Sequence, residues 1–284
     1  MKFLVLGCTG MAGHTISIYL KEQGHDVTGF ARSEAKFVKT VVGDARNLEQ
    51  IQEVIKNGDF DIVINAIGIL NKNAEDNKST AVFLNAYFPH FLADITKNMK
   101  TRIIHMSTDC VFSGKTGSYV EKSLRDGESF YDRSKALGEL EDNKNITLRN
   151  SIVGPDINSK GIGLLNWFMK QSGEIDGYTG AMWTGMTTLQ LAKVMEKAAL
   201  ENATGLYNMV PDHNISKYEL LKLFNHYLKN DTVTINPYDG ISLDKTLIRT
   251  CFDFSEVVPD YEIMIKEMAE WMKAHKSLYP QYDL

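Results

Sequence analysis

The chain has 284 residues, 43% of them hydrophobic and 24% charged, and a formal net charge of −5. That is enough apolar material to bury a sizeable core, and it excludes a disordered chain. The acidic balance leaves no electrostatic footprint for nucleic acid, and no basic run suggests a membrane surface, so the expected partners are small molecules or protein.

In chain order, the opening "MKFLVLG" is an apolar run that meets Gly7 too soon to be the core of a signal peptide. It reads as a buried first strand, and the expected compartment is the cytoplasm. "MAGHTISIYLKEQG" follows as a helix, "HDVTGFA" as a strand, "NLEQIQEVIKNG" as a helix and "DIVINAIG" as a strand. "TAVFLNAYFPHFLADITKN" is then a helix and "RIIHMST" a strand. Such alternation implies βαβ units on a parallel sheet covered on both faces. After "ITLRNSIVGPD" the rhythm loosens, although "TTLQLAKVMEKAAL" and "SKYELLKLFNHYLKN" still read as helices. The expected fold class is α/β, a Rossmann-type doubly wound parallel sheet with a smaller C-terminal lobe. Residues 1–150 would form the dinucleotide domain, and 151–284 mainly a substrate lobe that can send segments back to the first. Met264, Ile265, Met268, Trp271 and Met272 share one helical stripe and read as core packing. Cys8, Cys110 and Cys251 are too far apart for a disulfide framework, and the seven histidines show no metal spacing.

"LVLGCTGMAGHT" places Gly7, Gly10 and Gly13, with Met11 and Ala12 between them, where the first strand turns into the first helix. Glycines there permit a tight turn and let a pyrophosphate approach the backbone, and the helix N-terminus offers free N–H groups to it. At the end of the second strand, where an acidic residue would hold the ribose of NAD, stands Arg32. A guanidinium there suits the 2′-phosphate of NADP, so NADPH is favoured and NADH is left open. Arg32 also reads as a solvated loop residue.

Two Tyr-x-x-x-Lys pairs occur, Tyr131 with Lys135 and Tyr218 with Lys222; with 12 tyrosines, about one is expected by chance. Context favours the first, which follows the strand ending in "STDCVF" (107–112), where ligands bind in parallel α/β sheets. Tyr218 reads as packing. A phenol near pKa 10 is a poor acid at neutral pH, so an ammonium one helical turn away is expected to lower its pKa. Thr108 would polarise the carbonyl that accepts hydride.

The spacing G-x-x-G-x-x-G, "STDCVF", "SYVE" at 118–121, "YDRSKALGE" and "ITLRNSIVGP" together resemble the dTDP-4-dehydrorhamnose reductases, in the extended branch of the short-chain dehydrogenase/reductases. The resemblance implies Thr108, Tyr131 and Lys135 as catalytic residues, with Tyr131 and Lys135 also touching the cofactor. It implies cofactor contacts from Asp44 and Ala45 at the adenine edge, from Ala66, Ile67 and Gly68 of an N-A-x-G element, and from Met106. Asp109, Val111 and Phe112 would lie beside nicotinamide or sugar, and Arg149 and Trp183 near the substrate. Asn65 is equally readable as structural and Trp183 as packing. Cys110 stands where sugar-nucleotide dehydratases carry glutamate, which argues against dehydration. "GYTGAMWTGMTT" departs from the family's G-x-P-T element and leaves the exact sugar open. The implied activity is NADPH-dependent reduction of a nucleotide 4-keto-6-deoxy sugar for surface polysaccharide, and a homodimer is compatible. The alternatives are a non-catalytic NADP-binding regulatory subunit and a nucleotide-sugar epimerase.

Overall fold

A computed structural model describes residues 1–284. Its centre is a seven-stranded, all-parallel sheet. In chain order its first strands are β1 (Lys2–Leu6), β2 (Asp26–Ala31), β3 (Lys39–Val42), β4 (Ile62–Asn65), β5 (Arg102–Met106) and β6 (Ile146–Arg149). The strand Gly205–Asn208 completes an order that runs Gly205–Asn208, β6, β5, β4, β1, β2, β3. The order reverses direction between β1 and β4, the point beyond whose strand ends parallel α/β sheets bind ligands.

Period-two alternation explains the two covered faces. Phe3 and Val5 of β1 enter the larger core with α1 (Met11–Glu22), while Leu4 and Leu6 enter the smaller core with Ile51 and Ile55 of α2 (Leu48–Gly58). The edge strand β3 was not legible in the sequence. It has four residues, none of them fully buried, so it carries no apolar run to announce itself.

Beyond residue 150 the chain does two things. The helix Thr188–Leu200 and the strand Gly205–Asn208 return to the main sheet, where Thr15 of α1 meets Thr188 at 3.2 Å. The remainder builds a lobe on short strand pairs: Ser151–Val153 with Gly185–Thr187, Glu174–Tyr178 with Thr234–Tyr238, and Ala181–Trp183 between Ile215–Ser216 and Leu243–Asp244. Met264, Ile265, Met268 and Met272 of the closing helix Tyr261–Ala274 are buried in the same core that reaches β1. No helix is long and apolar enough to cross a membrane.

Candidate active site

The first wall is the turn from β1 to α1. Gly7 has φ +85°, and a Cβ on Gly13 would lie 2.1 Å from the Gly7 carbonyl oxygen, so neither position accepts a side chain. Gly10 caps α1 without any side-chain bond, and the first turn carries no acidic residue. The N–H groups of this turn therefore remain for an anion. Ala12 is buried beneath the turn, while Met11 stays partly exposed with its sulfur facing Gly163. The loop after β4 closes on Gly7, with Ile67 Cγ1 and the Ala66 carbonyl oxygen lying 3.1 and 3.2 Å from where a Gly7 Cβ would stand. Asn65 is wholly buried and structural: its Oδ1 accepts the Ile67 N–H at 3.2 Å and its amide lies 3.2 Å from His105.

Arg32 follows β2 directly and is exposed at the same edge. Beside it the Asp44 carboxylate, next to the buried Ala45, is gripped by Arg46, with Nη2 to Oδ2 at 2.7 Å and the Arg46 N–H to Oδ1 at 2.9 Å. These bonds hold Asp44 down at about 2. Arg46 is a second guanidinium at this edge that the motif reading passed over.

The second wall is the end of β5 and the helix Phe130–Leu137. Ser129 and Asp132 form a reciprocal capping box, and the Glu75 carboxylate accepts the Phe130 N–H at 2.6 Å, so the helix begins where Tyr131 must point inward. Tyr131 and Lys135, one turn apart, are 7% and 6% exposed. Lys135 Nζ donates to the Met106 carbonyl at 2.6 Å, and burial lowers its pKa to about 8, opposed by the Glu139 charge. Thr108 donates to Asp109 Oδ1 at 3.0 Å and accepts the Cys110 N–H at 3.1 Å.

Tyr131 corrects one expectation. Its phenol is pushed far up, chiefly by burial and then by the neighbouring Cys110, with the Thr108 hydroxyl opposing. Lys135 does not lower it, because its ammonium is turned to the Met106 carbonyl. The free chain thus holds a phenol that keeps its proton.

Four residues that the resemblance implies at the substrate, Arg149, Val111, Phe112 and Trp183, have buried side chains. Arg149 is fully buried, with its guanidinium paired to Glu139 at 2.7 and 2.8 Å, bonded to Asn208 Oδ1 at 3.1 Å and lying over the Phe112 ring. Val111 and Phe112 are likewise sealed; Phe112 stacks on Tyr119 with ring centres 4.3 Å apart. These side chains pack against one another under the strand end. Glu139 is the hub of that packing, since it also takes the Ser107 hydroxyl at 2.6 Å and Arg125. Trp183, 3% exposed, packs against Tyr261 at 5.6 Å. Asp109, beside Thr108, is also buried, and burial raises its carboxyl.

The rival tyrosine lies elsewhere, though not in the core as expected. Tyr218 is half-buried on the outer side of its helix, and Lys222 lies over its ring face at 5.4 Å instead of at its hydroxyl. Polar neighbours such as His226 and Glu262 line the depression there, which the apolar spacing did not reveal.

Asn85 was missed as well. It sits in a π-helical turn, Val82–Tyr87, completely buried, with Oδ1 accepting the Ile69 N–H and Nδ2 donating to the Ile69 carbonyl, both at 2.9 Å, and to Ser134 at 3.1 Å. It ties the loop after β4 to the tyrosine helix. One polar residue inside an otherwise apolar helical run was the available signal.

A family model described as the RmlD substrate binding domain matches residues 1–166, more than half of the chain. The chain belongs to this family. Among relatives of the RmlD family, a probable low-salt glycan biosynthesis reductase of Haloferax volcanii is 32% identical over 143 residues, 49% of this chain and 48% of that protein. The match thus spans about half the length of that relative. A dTDP-4-dehydrorhamnose reductase of Aggregatibacter actinomycetemcomitans is 22% identical over 98% of both chains. A dTDP-4-dehydrorhamnose reductase of Bacillus anthracis, solved in complex with NADP, superimposes with a TM-score of 0.78 at 19% identity. That alignment covers 94% of this chain and 98% of that one, and shows that the RmlD-family fold is common to both.

Proposed function

We propose that this chain uses NADPH to reduce the C4 keto group of a nucleoside-diphosphate 4-keto-6-deoxyhexose, dTDP-4-dehydrorhamnose or a UDP-linked 2-acetamido analogue, for surface polysaccharide. The observation that carries this reading is the sealing of Thr108, Tyr131 and Lys135 into one cluster beyond the end of β5, beside the uncapped α1 turn. The donors present suit the cofactor: free first-turn N–H groups and Gly13 for the pyrophosphate, Arg32 at the ribose edge, and the loop 66–68 across from Gly7. When bound, a nicotinamide dinucleotide supplies the hydride.

The chain's own residues do the rest. Thr108 turns its hydroxyl from Asp109 to the substrate carbonyl and stabilises charge developing on that oxygen. Tyr131, whose phenol stays protonated while the site is free, gives its proton to the oxygen as it becomes an alkoxide, a stronger base than phenolate. Lys135, turned in the free chain to the Met106 carbonyl, stabilises the phenolate left behind once its ammonium swings towards Tyr131 on the shared helix face.

The test is loss of NADPH absorbance with dTDP- and UDP-linked 4-keto-6-deoxyhexoses, comparing the parent with Tyr131→Phe. The variant should fall at least about 100-fold in kcat while still binding NADPH. Equal rates would sink the reading. Copurified NAD without net oxidation would indicate the epimerase, and NADPH binding with no turnover on any substrate the regulatory subunit.

A further inference from the structure

Two residues hold consecutive positions at the end of β5. Lys135 donates to the Met106 carbonyl at 2.6 Å, and Glu139, four residues further on, accepts the Ser107 hydroxyl at 2.6 Å. The next residue is Thr108. Ser107 also extends the ladder with β6, its N–H donating to the Leu148 carbonyl at 2.9 Å, so its backbone and side chain are both tied. Ser107 and Glu139 are each 7% exposed.

The ladder already holds β5 to β6; what the hydroxyl bond adds is direction. Thr108 is still extended, with φ −150° and ψ 153°, and in an extended chain neighbouring side chains leave on opposite sides. Fixing the Ser107 side chain on Glu139 therefore fixes the side on which Thr108 stands. That side is the one of Tyr131: Thr108 Oγ1 accepts the Cys110 N–H at 3.1 Å, and Cys110 packs against the cluster that contains Tyr131. The bonds of Thr108 to Asp109 and Cys110 are local and orient it only within the short helix Asp109–Val111. The paired register of β5 stops at Met106, so strand end and short helix would turn together if Ser107 were free.

Glu139 is a firm anchor because it is held in turn. Arg149 binds it through two nitrogens, at 2.7 and 2.8 Å, and Arg125 adds a further bond. Burial pushes its carboxyl up, but these guanidiniums and the Ser107 hydroxyl outweigh burial and keep it below the usual carboxylate range, so it accepts as a charged group.

Resting on the reductase reading, we propose that Glu139 is a positioning residue that, through Ser107, fixes the direction of the Thr108 hydroxyl towards the substrate carbonyl. Thr108 remains the group that touches the substrate.

Glu139→Met would strip the buried Arg149 of its counter-charge and endanger the fold, so the test uses Ser107→Ala, which keeps that pair and removes only the tie to the strand. With dTDP- and UDP-linked 4-keto-6-deoxyhexoses, kcat should fall about 10-fold, while KM and NADPH affinity change less than about 2-fold. Arg125→Met removes another partner of the same carboxylate without touching the strand end, and should keep kcat within about 2-fold of the parent. By ¹⁵N relaxation the Thr108 amide should show an order parameter of about 0.85 in the parent, as in rigid backbone, and a clear drop in Ser107→Ala. An unchanged kcat, an unchanged order parameter, or an equal loss of kcat in Arg125→Met would each overturn the role. The relaxation measurement needs no turnover. A parent that fails to oxidise NADPH would thus sink the reductase reading, while the order parameter still decides whether Glu139 steadies Thr108.

Discussion

Inside the site, Lys135 has exchanged water for the Met106 carbonyl at 2.6 Å, and burial brings its pKa to about 8. The ammonium needed beside Tyr131 is therefore present at neutral pH and lost just above it. For carbonyl reduction, kcat/KM is expected to be level near pH 7 and to fall with a one-proton slope above about 8; a Lys135→Met variant should show a low rate without that descending limb. If the limb persists in the variant, the pH dependence belongs to another group. The linkage to stability has the opposite sense. The folded pKa lies below the unfolded value of about 10.4, so the buried ammonium costs stability below pH 8, and that cost fades as pH rises towards 10.4. At this scale the sequence reveals spacing and not partners. Tyr131 and Lys135 were legible because four residues make one helical turn. Arg149 was misplaced because its partner Glu139 is fixed only when the segment after the tyrosine helix folds over β6, and Tyr131 was expected to titrate low because its burial cannot be read from a motif.

The helix Phe130–Leu137 is short, and its position depends on what meets its start and its flank. Ser129, Asp132 and Glu75 satisfy its first N–H groups, while Asn85 reaches Ser134 from the π-helical turn and binds the Ile69 backbone through both amide atoms. Replacing Asn85 by Ala would leave the partly buried Ile69 backbone groups without their partner, at a cost of about 1 kcal/mol. It would also free the 66–70 loop from the tyrosine helix. Asn85→Ala should lower the urea midpoint and weaken NADPH binding, both measurable by fluorescence; a variant with parent stability and affinity would show that the tie is dispensable. Elements with strong apolar periodicity were plain from the residues, as β1, β4 and β5 show. The π-turn was not, since it depends on a local insertion whose reason is the Asn85 contact with a distant loop.

The two lobes share one continuous core, and the C-terminal segment returns to the turn between β1 and α1. His14 Nδ1–H donates to the Gly10 carbonyl at 3.0 Å, which leaves Nε2 of the neutral ring to accept the Tyr279 hydroxyl at 2.8 Å, so residues near the end of the chain brace the turn at the start of α1. Tyr282 meets the Asp156 N–H at 3.0 Å, adding a second tie between the segment and the lobe. No local pattern announces contacts separated by more than 250 residues; only the assembled molecule brings His14 and Tyr279 together. Burial lowers the His14 pKa to about 4. On unfolding it regains its ordinary value of about 6.5 and takes a proton that the folded chain refuses, so between pH 4 and 6.5 the unfolded state binds more protons. Stability should therefore fall as pH drops through that window, by an amount on the order of 3 kcal/mol from this residue. Urea midpoints at pH 7.5, 5.5 and 4.5 test it: the parent should lose stability steadily, and His14→Gln, weaker at pH 7.5, should lose less across the same range. Carboxylates lowered in the fold, such as Asp44 and Glu139, affect parent and variant alike and cancel in the comparison. Parallel profiles for the two proteins would remove His14 as the source of acid sensitivity, whereas convergence near pH 4.5 would show that the brace on the α1 turn holds only while His14 is neutral.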